Sequence, residues 1–348
     1  MPEIVEIEEF LALSQTIPVV DVRSPVEFEL GSIPGATNIP VFSNEERAEI
    51  GTLYKQKGPD AATQRGLELV APNLLKLAES ALKTAQNHTK PSHLGGNQVL
   101  VHCWRGGMRS QSMAELFETA GIETRILKGG YKAFRHYVRE SFARKIDLKI
   151  VGGETGSGKT EILRHLKNAG EQVIDLEAIA SHRGSSFGAI GMNEQPGVEN
   201  FENNLFDALS KIDPKRRVWM EDESRSIGRV FIPEPLWIQM KAAPIYRVQI
   251  PFEVRVQRLI TDYGDFPKEI LREALDRIKK RLGGLDYKNS LEALEKGDLA
   301  TATRAALRYY DKAYDWPHQQ REYANVTIIQ CEDGDPEKNA KNILNMID

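Results

Sequence analysis

Ile146-Asp147-Leu148-Lys149-Ile150-Val151-Gly152-Gly153-Glu154-Thr155-Gly156-Ser157-Gly158-Lys159-Thr160 opens as a short apolar run and closes as a complete G-x-x-x-x-G-K-T motif. The run reads as a buried strand, and the residues after Thr160 read as the start of a helix. A strand, a glycine-rich turn and a helix form the context in which this motif means phosphate binding. The glycines let the backbone curl so that its N–H groups face phosphate oxygens, Lys159 adds a charge, and the Thr160 hydroxyl can hold Mg²⁺. The phosphate-binding set is therefore Gly153, Gly156, Ser157, Gly158, Lys159 and Thr160. Such a loop holds a diphosphate; it neither names a reaction nor requires ATP.

Downstream, apolar runs at residues 172–176, 217–220, 245–250 and 326–329 alternate with helical stretches, the pattern of a three-layer α/β domain. The run at 217–220 ends in Glu221-Asp222-Glu223, the position for a carboxylate that holds metal-bound water opposite Thr160. Asp222 is the first choice and Glu221 the second, with simple capping of the next element as the alternative. Arg225, Arg229, Arg255, Arg258 and Arg281 are candidates for contact with phosphates of a ligand or of RNA. Residues 289–314 read as one long helix that Asp315-Trp316-Pro317 ends.

Upstream, the β-branched runs at 19–22 and 99–102 read as buried strands, and 68–85 and 111–120 carry helical spacing, the former through Leu69, Leu74, Leu75, Leu77, Ala78 and Leu82. Residues 88–98, with Pro91, Gly95 and Gly96, read as a surface loop. This second alternation predicts another parallel α/β domain, giving two domains, 1–138 and 139–348, which suits a chain of 348 residues. Hydrophobic content of 41% and charged content of 28% are those of a globular protein. No apolar run approaches the roughly 18 residues of a membrane span, and the acidic first ten residues lack the features of a secretory signal. A cytoplasmic protein with no membrane partner is expected. The net charge is −4, unevenly spread: residues 1–50 carry ten acids and two bases, whereas 241–321 carry sixteen bases and twelve acids. The second half can meet a polyanion, or its charges are ordinary solvated helix faces.

Two cysteines, Cys103 and Cys331, are too few for a disulfide framework or a zinc site. No motif surrounds Cys331, which reads as structural or incidental. Cys103 opens Cys103-Trp104-Arg105-Gly106-Gly107-Met108-Arg109-Ser110-Gln111-Ser112, between a strand and a helix. Backbone N–H groups at such a turn converge on one point, and with Arg105 or Arg109 they stabilise an anion there and lower the thiol pKa. The catalytic candidates are Cys103, Arg105 and Arg109; an inert buried cysteine is the competing reading.

The upstream segment Asp21-Val22-Arg23-Ser24-Pro25-Val26-Glu27-Phe28, followed by Gly31-Ser32-Ile33-Pro34-Gly35-Ala36-Thr37-Asn38-Ile39-Pro40, resembles the rhodanese family over residues 1–138. This implies a cysteine that carries a chalcogen. Cys103 and Arg109 enclose five residues where sulfur-transferring rhodaneses usually have four, and the longer loop is similar to that of the related cysteine phosphatases. Fusion of this domain to a P-loop NTPase-like α/β domain with a helical C-terminal region, and the stretches Asn44-Glu45-Glu46-Arg47-Ala48-Glu49-Ile50-Gly51-Thr52-Leu53-Tyr54-Lys55-Gln56, Leu127-Lys128-Gly129-Gly130-Tyr131-Lys132, His182-Arg183-Gly184-Ser185-Ser186-Phe187-Gly188 and Glu223-Ser224-Arg225-Ser226-Ile227-Gly228, resemble the tRNA 2-selenouridine synthase family across most of the chain.

That resemblance implies a two-step conversion at the wobble uridine of tRNA: 2-thiouridine is S-geranylated with geranyl diphosphate, then selenium from selenophosphate replaces the geranylthio group. It implies that the loop at 153–160 holds geranyl diphosphate, with Mg²⁺ at Thr160 and Asp222. It further implies that Cys103 takes the selenium while Arg105 and Arg109 hold the phosphate, and that a selenophosphate-supplying enzyme is a partner. The target base must leave its stack; Trp104, Tyr131, Tyr309, Tyr310 and Trp316 are candidate platforms for it. Three other readings stand beside this one: a small-molecule P-loop kinase fused to a sulfurtransferase, a phosphatase using Cys103 and Arg109, and a nucleotide-responsive RNA-binding module.

Overall fold

The computed structural model describes residues 2–87, 97–320 and 325–347, leaving aside the side chains of 313–320. The chain divides into two compact units, Met1–Ser141 with Glu202–Asn204, and Phe142–Phe201 with Leu205–Asp348. Each is an α/β unit built on a five-stranded, wholly parallel sheet.

In the first unit the strands are β1 (Glu3–Val5), β2 (Val19–Asp21), β3 (Thr37–Asn38), β4 (Gln98–His102) and β5 (Glu123–Leu127), in the order β1-β5-β4-β2-β3. All five residues of β4 are buried, as expected of a central parallel strand with helices on both faces. Val20, Val99, Val101, Met113, Phe117 and Ile126 form the core around it. The chain leaves β2 toward β3 and leaves β4 toward β5, in opposite directions along the sheet. Adjacent strands whose connections diverge leave a crevice at their carboxyl ends, where ligands bind in open α/β sheets. β1, β3 and β5 carry no continuous apolar run: β1 lies at the sheet edge, and Arg125 of β5 pairs with Glu3 of β1 at 2.8 Å.

The helical spacing expected over 68–85 is interrupted. One helix, Pro59–Val70, ends in a 3₁₀ turn at Ala71–Asn73 that contains Pro72, and a second spans Leu74–Gln86. Leu74 and Leu75 are exposed, while Leu77, Ala78 and Ala81 face the core. The segment beginning Asn44-Glu45-Glu46 forms the helix Asn44–Lys57, capped reciprocally by Ser43 and Glu46, with Ser43 N–H donating to Glu46 at 2.8 Å and Glu46 N–H donating to Ser43 Oγ at 3.2 Å. The loop expected over 88–98 lies outside the described residues except for Asn97 and Gln98, and Gln98 already belongs to β4.

The second unit contains β6 (Leu148–Gly152), β7 (Gln172–Val173), β8 (Val218–Glu221), the hairpin β9 (Ser226–Ile227) and β10 (Val230–Phe231), then β11 (Ile245–Gln249) and β12 (Val326–Gln330). Its sheet order is β12-β11-β6-β8-β7. The chain leaves β6 toward β7 and returns from β8 to β11, so the second crevice lies at the ends of β6 and β8. Trp219, at the middle of β8, is fully buried, and its indole N–H donates to Glu171 at 2.9 Å.

Between β11 and β12 the helices Phe252–Tyr263, Lys268–Leu282, Gly284–Lys296 and Leu299–Gln320 form a bundle with its own core, including Leu271, Leu275, Ile278 and Leu294. The single helix expected over 289–314 is two helices, because Gly297 takes a left-handed conformation (φ 77°) and ends the first. The second runs on to Gln320, so Asp315-Trp316-Pro317 does not end it; the side chain of Trp316 lies outside the described residues. No helix among the described residues is long and apolar enough to cross a membrane.

Candidate functional site

Cys103 follows β4 directly and is 3% exposed. Its Sγ lies 3.3 Å from Ser110 Oγ, in the first turn of the helix Met108–Thr119. Burial pushes the thiol pKa up, but the Ser110 hydroxyl, the backbone N–H groups of Arg105 and Ser110 and the charge of Arg109 outweigh it, and the net displacement is downward. Arg109 is held in a two-point ion pair by Glu27, at 2.7 and 3.3 Å. Glu27 also receives the Ser24 N–H at 3.2 Å, capping the helix Pro25–Leu30. One carboxylate thus anchors the loop after β2 to the loop after β4. The side chain of Arg105 is exposed.

The loop is braced from behind. Tyr131 N–H donates to the Cys103 carbonyl at 2.8 Å, and Lys132 N–H to that of Trp104 at 3.0 Å. Gly130 (φ 59°) packs so closely that a Cβ there would run into the Cys103 carbonyl oxygen and come within 2.5 Å of Gly106 N, which gives Leu127-Lys128-Gly129-Gly130-Tyr131-Lys132 a physical role. Below the loop, the buried Arg23 donates to Asp21 at 2.6 Å and to the Gly31 carbonyl at 2.6 Å, and its guanidinium lies 3.8 Å from the Tyr131 ring centroid. His102 is buried beside them, 3.6 Å from Asp21. Desolvation holds its pKa below the ordinary value and the Arg23 charge adds to this, against the pull of Asp21 and the Cys103 carbonyl. Tyr131 is fully buried, so it braces the loop and is not available to a base. Trp104, 37% exposed, sits at the surface against it.

Cys103, Arg105 and Arg109 line one cleft of about 1190 Å³, whose other walls include Phe42, Ile50, Tyr54, Leu67, Val70 and Met108. The helices Asn44–Lys57 and Pro59–Val70 supply most of that apolar wall.

In the second unit the loop after β6 has the expected curl. Gly156 and Gly158 both have φ 79°, Lys159 Nζ donates back to the Gly153 carbonyl at 3.1 Å, and Lys159 opens the helix Lys159–Asn168. Ser157 Oγ is buried without a hydrogen-bond partner, packed against the backbone of Gly153. Thr160 Oγ1 donates to Glu177 at 2.9 Å, and the Glu177 N–H donates to Glu221 at 2.7 Å. Glu177, which the sequence reading missed, is therefore the carboxylate on the Thr160 hydroxyl. Burial pushes Glu221 well above the ordinary carboxylate range, with Asp175 and Glu177 adding to it. Burial likewise pushes Glu223 up to about 8, against the pull of Lys159. Asp222 stands at the end of β8, its N–H on the Val151 carbonyl at 2.9 Å. Among the described residues no three His, Cys, Asp or Glu side chains are arranged to hold a metal by themselves.

The arginines divide. Arg255 is 6% exposed and donates to Asp311 at 2.8 and 2.9 Å and to the Thr155 carbonyl at 3.2 Å, so it backs the phosphate loop. Arg258 pairs with Glu161 at 3.2 Å and occupies the space a Cβ at Gly158 would need. At the surface, Arg225 pairs with Glu234 at 2.5 Å, Arg229 reaches the Gln195 carbonyl at 3.4 Å and Arg281 reaches the Tyr309 hydroxyl at 3.5 Å. The Tyr310 hydroxyl accepts the Ser186 N–H at 3.2 Å. Cys331 lies in the core of the second unit, where burial raises its thiol pKa.

A cysteine loop of inward backbone N–H groups on one parallel sheet and a G-x-x-x-x-G-K-T loop on another define a rhodanese-like domain fused to a P-loop domain. The rhodanese-like domain family matches residues 6–137 and the tRNA 2-selenouridine synthase AAA domain family matches residues 146–335. The chain is 37% identical to the tRNA 2-selenouridine synthase of Bdellovibrio bacteriovorus, over 90% of this chain and 92% of that protein. It is 34% identical to that of Shewanella denitrificans, over 92% and 94%. The crystal structure of the N-terminal domain of a putative ATP/GTP binding protein from Clostridium difficile 630 is 36% identical, covering 39% of this chain and 98% of that one, with a TM-score of 0.35. The chain belongs to the tRNA 2-selenouridine synthase family.

Three outcomes are expected of these sites. Alkylation of Cys103 by iodoacetamide should show a midpoint below the ordinary thiol value of 9.0, Ser110→Ala should raise it, and Cys331 should titrate above 9.0 in the same sample. Gly130→Ala should slow Cys103 alkylation at pH 7 by about tenfold or more, since a displaced loop loses the amides that stabilise the thiolate. For Glu223, the folded chain retains a proton between the ordinary 4.5 and about 8 that the unfolded chain has lost, so stability falls as pH rises through that window. Glu223→Gln should flatten the fall in Tm between pH 5 and 8; an unchanged slope would assign it to other groups.

Proposed function

We propose that this chain is an enzyme that converts 2-thiouridine at the wobble position of tRNA into 2-selenouridine, first by S-geranylation with geranyl diphosphate and then by replacement of the geranylthio group with selenium from selenophosphate. The observation that carries the reading is a thiol of lowered pKa, in a cradle of backbone N–H groups, on the floor of a cleft large enough for a nucleoside.

The chemistry accounts for both sites. A thione is a poor leaving group, whereas an alkylated sulfur departs from carbon 2 as a thiol. In the first step the thione sulfur attacks carbon 1 of the geranyl chain, the carbon–oxygen bond breaks, diphosphate leaves with the electron pair, and N3 of the base loses its proton. The loop N–H groups and Lys159 hold the diphosphate and stabilise its developing charge. Thr160, with Glu177 beside it and Asp222 at the neighbouring strand end, fits Mg²⁺, which needs only one or two protein oxygens when phosphates complete its shell. When bound, that ion would offset the charge of the leaving diphosphate. In the second step the selenium of selenophosphate attacks carbon 2, the carbon–sulfur bond breaks with the electron pair leaving on geranylthiol, and water takes the phosphoryl group from selenium as phosphate. Cys103 stands at the reacting selenium, with Arg105 and the loop amides on the phosphate end of the donor and Arg109 fixing the field at the sulfur. The apolar wall formed by Phe42, Leu67, Val70 and Met108 suits a substrate that carries a hydrocarbon on its sulfur. The exposed Arg225, Arg229 and Arg281, with the basic stretch 241–321, supply contacts for the tRNA backbone. A selenophosphate-forming enzyme is the partner this requires, and the cytoplasm is the compartment.

The test is mass spectrometry of nucleosides from 2-thiouridine tRNA incubated with the full chain, Mg²⁺, geranyl diphosphate and selenophosphate. Wild type should form 2-selenouridine, Cys103→Ala should stop at S-geranyl-2-thiouridine, and Lys159→Ala should form neither. Absence of any modified base with wild type would sink the reading.

A further inference from the structure

The phosphate loop opens on its Thr155 side onto a cavity of about 80 Å³ inside the helical bundle of the second unit. Leu259, Leu271, Leu275, Leu294, Ala306 and Leu307 wall it. Leu275, Leu294 and Leu307 are 3%, 2% and 0% exposed, so the cavity reaches into the core of the bundle. No charged side chain lines it. Three of its five hydroxyl side chains are engaged within the protein: Tyr310 accepts the Ser186 N–H, Ser185 Oγ accepts the Phe187 N–H at 3.1 Å, and Tyr263 pairs with Arg183; those of Thr155 and Thr303 are the other two.

We propose that this cavity receives the hydrocarbon tail of the allylic diphosphate whose diphosphate rests in the loop at 153–160, and that Ala306 and Leu294 set the length of chain accepted. The inference rests on the reading of that loop given above and adds a subsite to it. A nucleoside is the alternative occupant of the space beside such a loop. Its base and ribose carry several donors and acceptors, which an apolar cavity would strip of water without replacing their partners. A hydrocarbon loses nothing there and gains a factor of about four in affinity for each methylene removed from water. The cavity holds about six water-sized groups, and a methylene or methyl group is about that size, so it takes the distal five-carbon unit of a ten-carbon chain whose first unit leads in from the diphosphate. Five carbons leave it partly empty, and fifteen overrun it. Thr155 belongs both to the loop and to the cavity lining, so a ligand held by its diphosphate has a direct route from polar cradle to apolar chamber.

Calorimetric titration of the full chain with Mg²⁺ and inorganic diphosphate, dimethylallyl, geranyl or farnesyl diphosphate, or ATP, tests this. Geranyl diphosphate should bind at least about 100-fold more tightly than inorganic diphosphate and more tightly than the shorter and longer chains. Ala306→Leu should weaken geranyl diphosphate about tenfold or more and leave inorganic diphosphate unchanged, which also shows that the variant is folded. Leu294→Ala should shift the preference toward farnesyl diphosphate. Should Ala306→Leu lose inorganic diphosphate as well, the wild-type chain-length series and Leu294→Ala decide. If inorganic diphosphate binds but chain length and both substitutions make no difference, the tail chamber is wrong while the loop reading stands. If neither inorganic nor geranyl diphosphate binds, the loop reading itself falls; ATP binding above geranyl diphosphate overturns the chamber.

Discussion

Backbone N–H groups can converge on an anion only where the chain turns sharply out of a buried strand into a helix, and both units of this protein are arranged around that requirement. Each places its anion loop after a central parallel strand, β4 or β6, next to a strand whose connection runs the other way along the sheet. The sheet must then be buried on both faces, which is why those strands are apolar at their centres, Val99–Val101 in β4 and Ile150–Val151 in β6. The loops are rigid because of what lies behind them: Gly130 and the Tyr131 N–H in the first unit, the Arg255–Asp311 pair in the second. Neither backing group touches the position where a ligand would sit. Both fix backbone that would.

The two loops treat charge in opposite ways. At Cys103, the Ser110 hydroxyl, backbone N–H groups and Arg109 stabilise the anionic sulfur relative to an ordinary thiol. At the phosphate loop, Glu221 and Glu223 are driven toward their neutral forms by burial and by one another's neighbours, so the surroundings of Lys159 carry less negative charge than three carboxylates in a row suggest. Such an arrangement repels an anion less than ionised acids would.

Much of this was legible in the residues. The strands β2, β4, β6, β8 and β11 show as apolar, β-branched runs because they lie inside their sheets, β12 shows as one although it is an edge strand with Ile328 exposed, and the glycine spacing at 153–158 and the cysteine turn at 103–110 declare their chemistry locally. β1, β3 and β5 were not legible, being short or stabilised by pairs such as Arg125–Glu3 that join residues far apart in the chain. The roles of Arg255 and Tyr131 were hidden for a related reason. A buried buttress and an exposed contact use the same side chain, and only the fold brings Asp311 to one and Cys103 to the other. Glu177 had a weak local signal, an acid just past the β7 run, but nothing in sequence joins it to Thr160. The long helix expected from 289 onward failed at Gly297, where one left-handed residue outweighs the helix formers around it.

His102 lies immediately behind the cysteine sulfur, buried and held toward its uncharged form, while the buried ion pair of Asp21 and Arg23 sits beneath it. The polarisation of the cysteine cradle therefore comes from the Ser110 hydroxyl, peptide N–H groups and the Arg109 guanidinium, all held in place by the surrounding fold. The loop behaves as an electret, a solid whose polarity is frozen in when it sets: its field is established at folding and meets each incoming anion unchanged, with no reorganisation left for the binding event.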